Sequence, residues 1–453
     1  MSGATTFRDR SGTPGPTVIR GARHWRSGAA IDLAFADGVV LARPPASGAR
    51  VIDARGAVLA PGLVDPHVHL REPGQGAKET IATGTRAAAA GGFTDVMCMP
   101  NTEPVLDDPA WIEWVRTRAA ESGSCRVHPI GAVTVGQRGE QLTEFVALAE
   151  AGARALSDDG HPIASAALMR RALEYARHPG LVIIAHEEDA TLSRGGHMHE
   201  GPIATRLGLR GIPSAAESVM VRRDVELADL TGGRVHVAHV SCAAALEAVR
   251  DAKRRGLPVT AETCPHYWTL LDEAVGDYDT AAKMNPPLRS AADRAAVIAG
   301  IADDTIDCLA TDHAPHTEDE KRRCFDAAPF GIVGLETALG LTLTYLVEPG
   351  HITLERAIAL WTESPRRIFG LPAVSLEPGQ PADLVLFDPA ARWTVDRQRF
   401  FSQGRNTPFH GWRLSGRVLL TVCGGAITHE DAAVVVGGEP VAEAESVALE
   451  ERS

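Results

Sequence analysis

The sequence predicts a parallel (β/α)8 barrel of the TIM type with a small β domain built from both chain ends. Three observations predict it. Eight short apolar or β-branched runs alternate with longer Ala-, Leu-, Arg- and Glu-rich stretches of helical spacing, which is the pattern of repeated βα units. A doubly wound open sheet would carry a glycine-rich phosphate loop after its first strand, whereas this chain has histidines there. Short strand-like runs flank the alternating region on both sides, and neither set can bury a face alone.

The elements follow in chain order. Residues 1–15 are polar and rich in Pro and Gly, and read as a flexible tail. Runs such as PTVIRG and IDLAFADGVV in residues 16–60, and PADLVLFD and RVLLTVCGGAI in residues 372–430, are expected to pair into one composite β domain. Residues 61–371 hold the barrel, with strands expected at Val64–His69, Phe93–Met99, Arg126–Gly131, Arg154–Asp159, Leu181–His186, Arg234–Val240, Pro258–Cys264 and Ile306–Asp312. Stretches such as SAALMRRALEYARHPG and AALEAVRDAKRRG supply the helices, and Gly or Pro-Gly marks many helix exits. Residues 431–453 are acidic and poor in aromatics, and read as a disordered tail.

Composition narrows the function classes. The 453 residues carry 45 basic and 58 acidic side chains, a net charge of −13, which argues against a nucleic-acid or acidic-lipid binder. Seven cysteines, an odd number scattered along the chain, do not form a disulfide framework and fit a reducing cytoplasm. The N-terminal stretch has no apolar core of a secretory signal, and no apolar run approaches the ~18 residues a membrane span needs.

Chemistry collects at the strand ends. His67 and His69 lie two apart on a strand, so their side chains share a face, and in a barrel strand that face is the interior. A His-x-His pair alone is weak evidence. His197 and His199 form another in a glycine-flanked loop and read as solvent-facing. The signal strengthens because the fourth strand ends in Asp158-Asp159, the fifth in His186, the sixth in His239 and the eighth in Asp312. Packing does not need ionisable groups on one rim, and burying them is costly unless they are paired or bound to metal. His236 stands three before His239 and is expected on the opposite face, and only one of Asp158 and Asp159 can point inward. Four histidines and two aspartates exceed one tetrahedral site. Two divalent ions sharing a bridging carboxylate fit better, and such a pair generates a hydroxide for metal-assisted hydrolysis at a carbonyl, or its reverse.

From about Pro61 to Gly425 the chain resembles the dihydroorotases of the amidohydrolase superfamily, in the class whose metal bridge is an aspartate. The resemblance rests on HVHLREPGQGAKET, MPNTEPVLD, SDDG, AHEED, HVAHVS, KMNPPLR, TDHAPHTEDEK, APFGIVGLET and GQPADLVLFD. It implies reversible cyclisation of N-carbamoyl-L-aspartate to L-dihydroorotate in pyrimidine biosynthesis. It also implies one Zn²⁺ on His67, His69, Asp159 and Asp312, and a second on His186 and His239, with Asp159 bridging. Asp312 would double as the proton shuttle. Substrate contacts would fall on His69, Arg71, Asn101, Asn285, His316 and the backbone at Phe330-Gly331. A homodimer and an association with aspartate transcarbamoylase belong to the same expectation.

The rivals are a hydantoinase or allantoinase type of cyclic-amide hydrolase and a metal-free scaffold homologue. The first usually bridges its metals with a carboxylated lysine on the fourth strand, and this chain has no lysine between Lys78 and Lys253. The second would have lost ligands, and all six are present.

Overall fold

The computed structural model describes residues 15–436. The expected tail stretches 1–14 and 437–453 lie outside the described residues. The chain opens with β1 (Thr17–His24), β2 (Ala30–Ala36), β3 (Val39–Val40), β4 (Arg50–Asp53) and β5 (Val58–Pro61). The barrel strands are β6 (Leu63–Val68), β7 (Phe93–Cys98), β8 (Arg126–Pro129), β9 (Leu156–Ser157) and β10 (Ile183–Ala185), then β13 (Val235–Val237), β14 (Val259–Thr263) and β15 (Cys308–Leu309). A short parallel pair, β11 (Met198–His199) and β12 (Gly211–Ile212), lies in the connection after β10. The chain closes with β16 (Leu384–Thr394), β17 (Arg413–Cys423), β18 (Ala426–Glu430) and β19 (Val435–Val436).

The eight barrel strands run parallel in sequential order, as β6-β7-β8 and β9-β10-β13-β14-β15. Two bridges join these arcs into a closed ring. Gly131 pairs with Leu156 between β8 and β9, and Val68 pairs with His313 between β6 and the chain just past β15. The (β/α)8 class read from the sequence is therefore the fold. Every strand is shorter than expected at its C-terminal end. There the backbone leaves the ladder to become rim loops, which is where a barrel presents functional side chains.

Local sequence explains the outer layer. Helix Ala166–Ala176 starts at Ser165, whose hydroxyl accepts from Leu168 N, and it buries Met169, Ala172, Leu173 and Ala176 at helical spacing. Helix Ala243–Arg254 buries Ala245, Leu246, Ala248, Val249 and Ala252, small residues that let it pack closely on the sheet. Inside the barrel Val64, Met97, Ile130, Ala155, Ile184, Ala238 and Cys308 pack with Ile368, Phe369 and Leu371 of the last helical turns. This apolar plug fills the interior beneath the rim.

The strands of both chain ends join one sheet in the order β18-β17-β16-β5-β1-β2-β3, with β4 pairing β1 and β19 pairing β4. Val435 and Val436 pair with Asp53 and Ile52, so the acidic stretch expected to be disordered from residue 431 stays in the sheet through 436. Val435 and Val436 complete an otherwise unpaired edge of β4. The partly buried Arg126 joins barrel and sheet, its Nη1 lying 2.7 Å from Asp383 Oδ2, while the buried pair Arg366 Nη2 and Asp95 Oδ2, 2.6 Å apart, ties elements within the barrel. All seven cysteines are free thiols. Among the described residues no helix is long and apolar enough to cross a membrane.

Candidate active site

The structure brings His67, His69, Asp159, His186, His239 and Asp312 together at the barrel rim, all buried. Asp159 is the centre. Its Oδ1 lies 3.5 Å from His67 Nε2, 3.6 Å from His186 Nδ1 and 3.6 Å from His239 Nε2, and its Oδ2 lies 3.6 Å from His69 Nε2. Asp312 Oδ1 lies 3.0 Å from His69 Nε2 and 3.5 Å from His67 Nε2. Asp158 points the other way. It accepts from Val133 N at 2.8 Å and Thr134 N at 3.0 Å, and from the Thr134 hydroxyl.

These separations fit a metal centre. Separations of 3.5–3.6 Å are long for hydrogen bonds. Two ligand atoms each about 2.1 Å from one ion at a tetrahedral angle stand about 3.4 Å apart. The triads His67/Asp159/His239 and His67/His69/Asp312 each keep their ligand atoms within 4.8 Å of one another. The deeply buried Nε2 of His67 has no hydrogen-bond partner among the described residues, a group that calls for a ligand. The charges are strongly coupled. Burial opposes charge on Asp159 and Asp312, yet facing imidazoles hold Asp159 well below the usual carboxylate range and Asp312 below it. Burial opposes the charge on His67, but Asp312 and Asp159 raise it. His186 rises to about 10 against burial through Asp159 and Glu188.

A second ring of side chains orients the ligands, and sequence reasoning missed most of it. Glu262 Oε1 accepts from His67 Nδ1 at 2.8 Å. Glu188 Oε2 lies 3.0 Å from His186 Nε2 and accepts from Asn285 Nδ2 at 2.8 Å. Glu188 had a readable signal, since it stands two after His186 on the same face. Asn101, expected to touch substrate, spans two ligands. Its Oδ1 accepts from His69 Nδ1 at 2.9 Å and its Nδ2 donates to Asp159 Oδ2 at 3.1 Å.

Two readings need correction. His236 does not face away from the barrel. It is fully buried in the interior, where its Nε2 lies 3.2 Å from Glu262 Oε2 and its ring meets Phe369. β13 ends at Val237 and His239 adopts φ +36°, so strict alternation fails between positions 236 and 239. His197 and His199 are half-buried rather than solvent-facing, because β11 pairs with β12 and His199 Nδ1 lies 3.3 Å from Arg289 Nη1.

Above the metal ligands opens a pocket of about 340 Å³, lined by Arg71, Asn101, Asn285, Asp312, His316, Phe330 and Gly331 among others. Arg71 is 8% exposed, with Nε donating to Pro315 O at 3.2 Å. Burial lowers its guanidinium to about 10, so it stays charged at neutral pH. His316 Nε2 donates to Phe330 O at 2.8 Å, and burial followed by the Arg71 charge pushes its imidazole down to about 2, so it is neutral. Gly331 sits at φ +148°, where an added Cβ would lie 2.6 Å from Ala314 O. Its N–H donates to Lys283 O at 2.9 Å and its carbonyl accepts from Asn406 Nδ2 at 3.0 Å, which leaves the Phe330 N–H as the remaining backbone donor of that pair. Asn406 also accepts from His316 N at 3.1 Å; it comes from the β16–β17 connection and carried no sequence signal.

The chain is 56% identical over 385 residues to a dihydroorotase of Pelotomaculum thermopropionicum, covering 85% of this chain and 90% of that one. It is 57% identical over 385 residues to a dihydroorotase of Anaeromyxobacter sp. (strain K), covering 84% and 89%. It belongs to the dihydroorotase family. The family model described as dihydro-orotase-like matches residues 56–245, the stretch that carries five of the six clustered ligands. Membership favours the dihydroorotase reading over the hydantoinase, allantoinase and scaffold alternatives. The fold extends further. An L-hydantoinase from Arthrobacter aurescens superposes with a TM-score of 0.83 at 24% identity, covering 92% of this chain and 97% of that one. A dihydropyrimidinase from Brevibacillus agri superposes at 0.80 with 23% identity, covering 93% and 96%. At these identities the likeness shows the shared barrel and β domain.

Proposed function

We propose that this chain interconverts N-carbamoyl-L-aspartate and L-dihydroorotate in de novo pyrimidine biosynthesis with two zinc ions. His67, His69, Asp159 and Asp312 would hold one, and His186, His239 and the bridging Asp159 the other. One observation carries the reading: a single pocket has the His/Asp cluster on its floor and Arg71, Asn285, His316 and Phe330-Gly331 on its wall. When bound, the metals supply Lewis acidity that polarises the ring carbonyl and eases deprotonation of water.

The chain's own residues do the rest. The substrate carboxylate meets the Nη groups of Arg71, whose Nε is already anchored on Pro315 O. Asn285 and the Phe330 N–H fix the ring edge, and Asn101 holds His69 and Asp159 in register. Asp312 keeps Oδ1 on the ligand histidines, which leaves Oδ2 for the proton. In hydrolysis it takes the proton of the attacking water and hands it to the departing amide nitrogen. In cyclisation the same transfers run backward. Asp159 would be the bridge, since four histidines face it and no lysine stands between Lys78 and Lys253.

The same reading expects a cytoplasmic homodimer that associates with aspartate transcarbamoylase. It rests on the motif resemblance, and light scattering with and without the transcarbamoylase checks it. The deciding experiment compares turnover of the zinc-loaded protein on dihydroorotate, hydantoin and allantoin. Preference for dihydroorotate supports the proposal, and preference for either other ring overturns it.

A further inference from the structure

The connection between β16 and β17 folds back over the loop that carries His316, and a second cavity of about 300 Å³ lies between them. His316 lines both this cavity and the active-site pocket. The cavity walls carry Lys321, Arg322, Arg397 and Arg405 against Asp279 and Glu318. Glu318 is already taken by Arg322 at 2.7 Å. That leaves three cations facing one carboxylate.

These cations are poorly satisfied. Lys321 is 8% exposed, and among the described residues its Nζ has one hydrogen-bond acceptor, Pro329 O at 2.9 Å. Lys283, by contrast, is fully satisfied by the carbonyls of Phe325, Asp326 and Ala328 at 2.6, 3.1 and 2.7 Å. Burial and the nearby Lys283 charge push the Lys321 ammonium down to about 7, and the opposing charges of Asp279 and Glu320 do not offset them. Arg405 spends Nη1 on the carbonyls of Ser402 and Gly404, and Arg397 has no ion-pair partner among the described residues.

We propose that this cavity is an anion site for a phosphate group, free or carried on a small polar ester. Three separate cationic donors match a tetrahedral dianion better than a two-oxygen carboxylate. The volume exceeds that of phosphate alone. The remaining walls combine the polar side chains of Thr280, Gln398 and Asn406 with Ala281 and leave room for a small sugar-like group. Occupancy would fix Lys321 and so the Pro329-Phe330-Gly331 stretch, whose carbonyls Lys321 and His316 already hold. Binding itself is independent of the proposed reaction, whereas its effect on substrate affinity rests on that reading.

The test uses the full-length protein. Isothermal titration with inorganic phosphate and with ribose 5-phosphate, against sodium chloride at matched ionic strength, reads binding directly. Saturable binding by either ligand, weakened at least tenfold in Arg397→Ala/Arg405→Ala, supports the site, and the tighter ligand names the source. A chloride-like response, or binding undiminished in the double variant, overturns it. Lys321→Gln gives a second variant should the first melt early, with the same tenfold loss expected. With the binding settled, a several-fold change in the dihydroorotate KM at saturating phosphate, absent in the double variant, supports the coupling; an unchanged KM overturns the coupling alone.

Discussion

Glu262 and His67 share a 2.8 Å hydrogen bond at the centre of the barrel, with both side chains fully buried. His67 Nδ1 donates to Glu262 Oε1, which turns Nε2 toward Asp159 and Asp312. Glu262 Oε2 lies 3.2 Å from His236 Nε2, and His236 Nδ1 lies 2.8 Å from the Thr260 hydroxyl. The chain of contacts fixes the orientation of the His67 ring. Glu262→Gln keeps the volume and weakens the acceptor. We expect metal affinity to fall by about 10- to 100-fold. Metal content after dialysis against a graded chelator measures it, and content equal to the parent protein would remove Glu262 from this role.

The two adjacent aspartates should part company. Asp159→Ala removes the group that four histidines face, so metal content should collapse with the fold intact. Asp158→Ala removes the acceptor for Val133 N and Thr134 N and should cost about 1–3 kcal/mol of stability while metal is retained. Thermal melts alongside elemental analysis separate the two, and an Asp158→Ala protein that folds but holds no metal contradicts the assignment.

Arg71→Lys replaces a planar fork with a point charge and loses the anchor on Pro315 O. Catalytic efficiency should fall by about 1.5–3 kcal/mol in transition-state binding, with metal content unchanged. Steady-state kinetics at full metal occupancy would exclude the role by showing no change.

Asp312→Asn keeps the shape of the side chain and cannot carry the proton. Hydrolysis and cyclisation should collapse together, while the metal on His186 and His239 remains. Near-normal hydrolysis by a metal-loaded variant would leave Asp312 as a ligand only.

Asp95 of β7 ties barrel elements to one another through Arg366 at 2.6 Å and His128 at 2.9 Å. Burial opposes its charge, but Arg366, His128 and Arg126 hold its carboxyl far below the usual range. Its pKa is therefore lower folded than unfolded, where it is about 3.9. The stabilisation is complete above that value and is lost as pH falls below it, by at most about 1.4 kcal/mol per pH unit. Asp95→Asn should cost about 3–5 kcal/mol at pH 7, with the gap narrowing below pH 4. Melting temperatures across pH check the sign, and a gap that widens in acid refutes it.

Much of this site was legible because alternation is local. His67 and His69 stand two apart, and Asp159, His186 and Asp312 follow the ends of other strands by one to three residues, so their spacing along the chain already placed them on one rim. His236 shows where that logic stops, since counting through a residue at φ +36° reverses the face. Glu262 had a weak signal as a carboxylate in a strand buried on both sides. Asn406 had none, because it reaches His316 from 90 positions away.

The repeated βα units, the donors near their ends and the aspartate in place of a lysine follow from short-range spacing and residue chemistry, and so could be read from the chain directly. How those donors converge depends on contacts made across the closed barrel. Arg71, His239 and Asp312 sit at φ +62°, +36° and +47°, a backbone region costing about 1–3 kcal/mol each for residues other than glycine. Contacts distant in sequence hold them there: His69 N donates to His313 O at 2.9 Å to close the ring, and Arg71 anchors on Pro315 O. Local propensity disfavours these conformations, so they exist only once the barrel has closed and its long-range hydrogen bonds outweigh the strain.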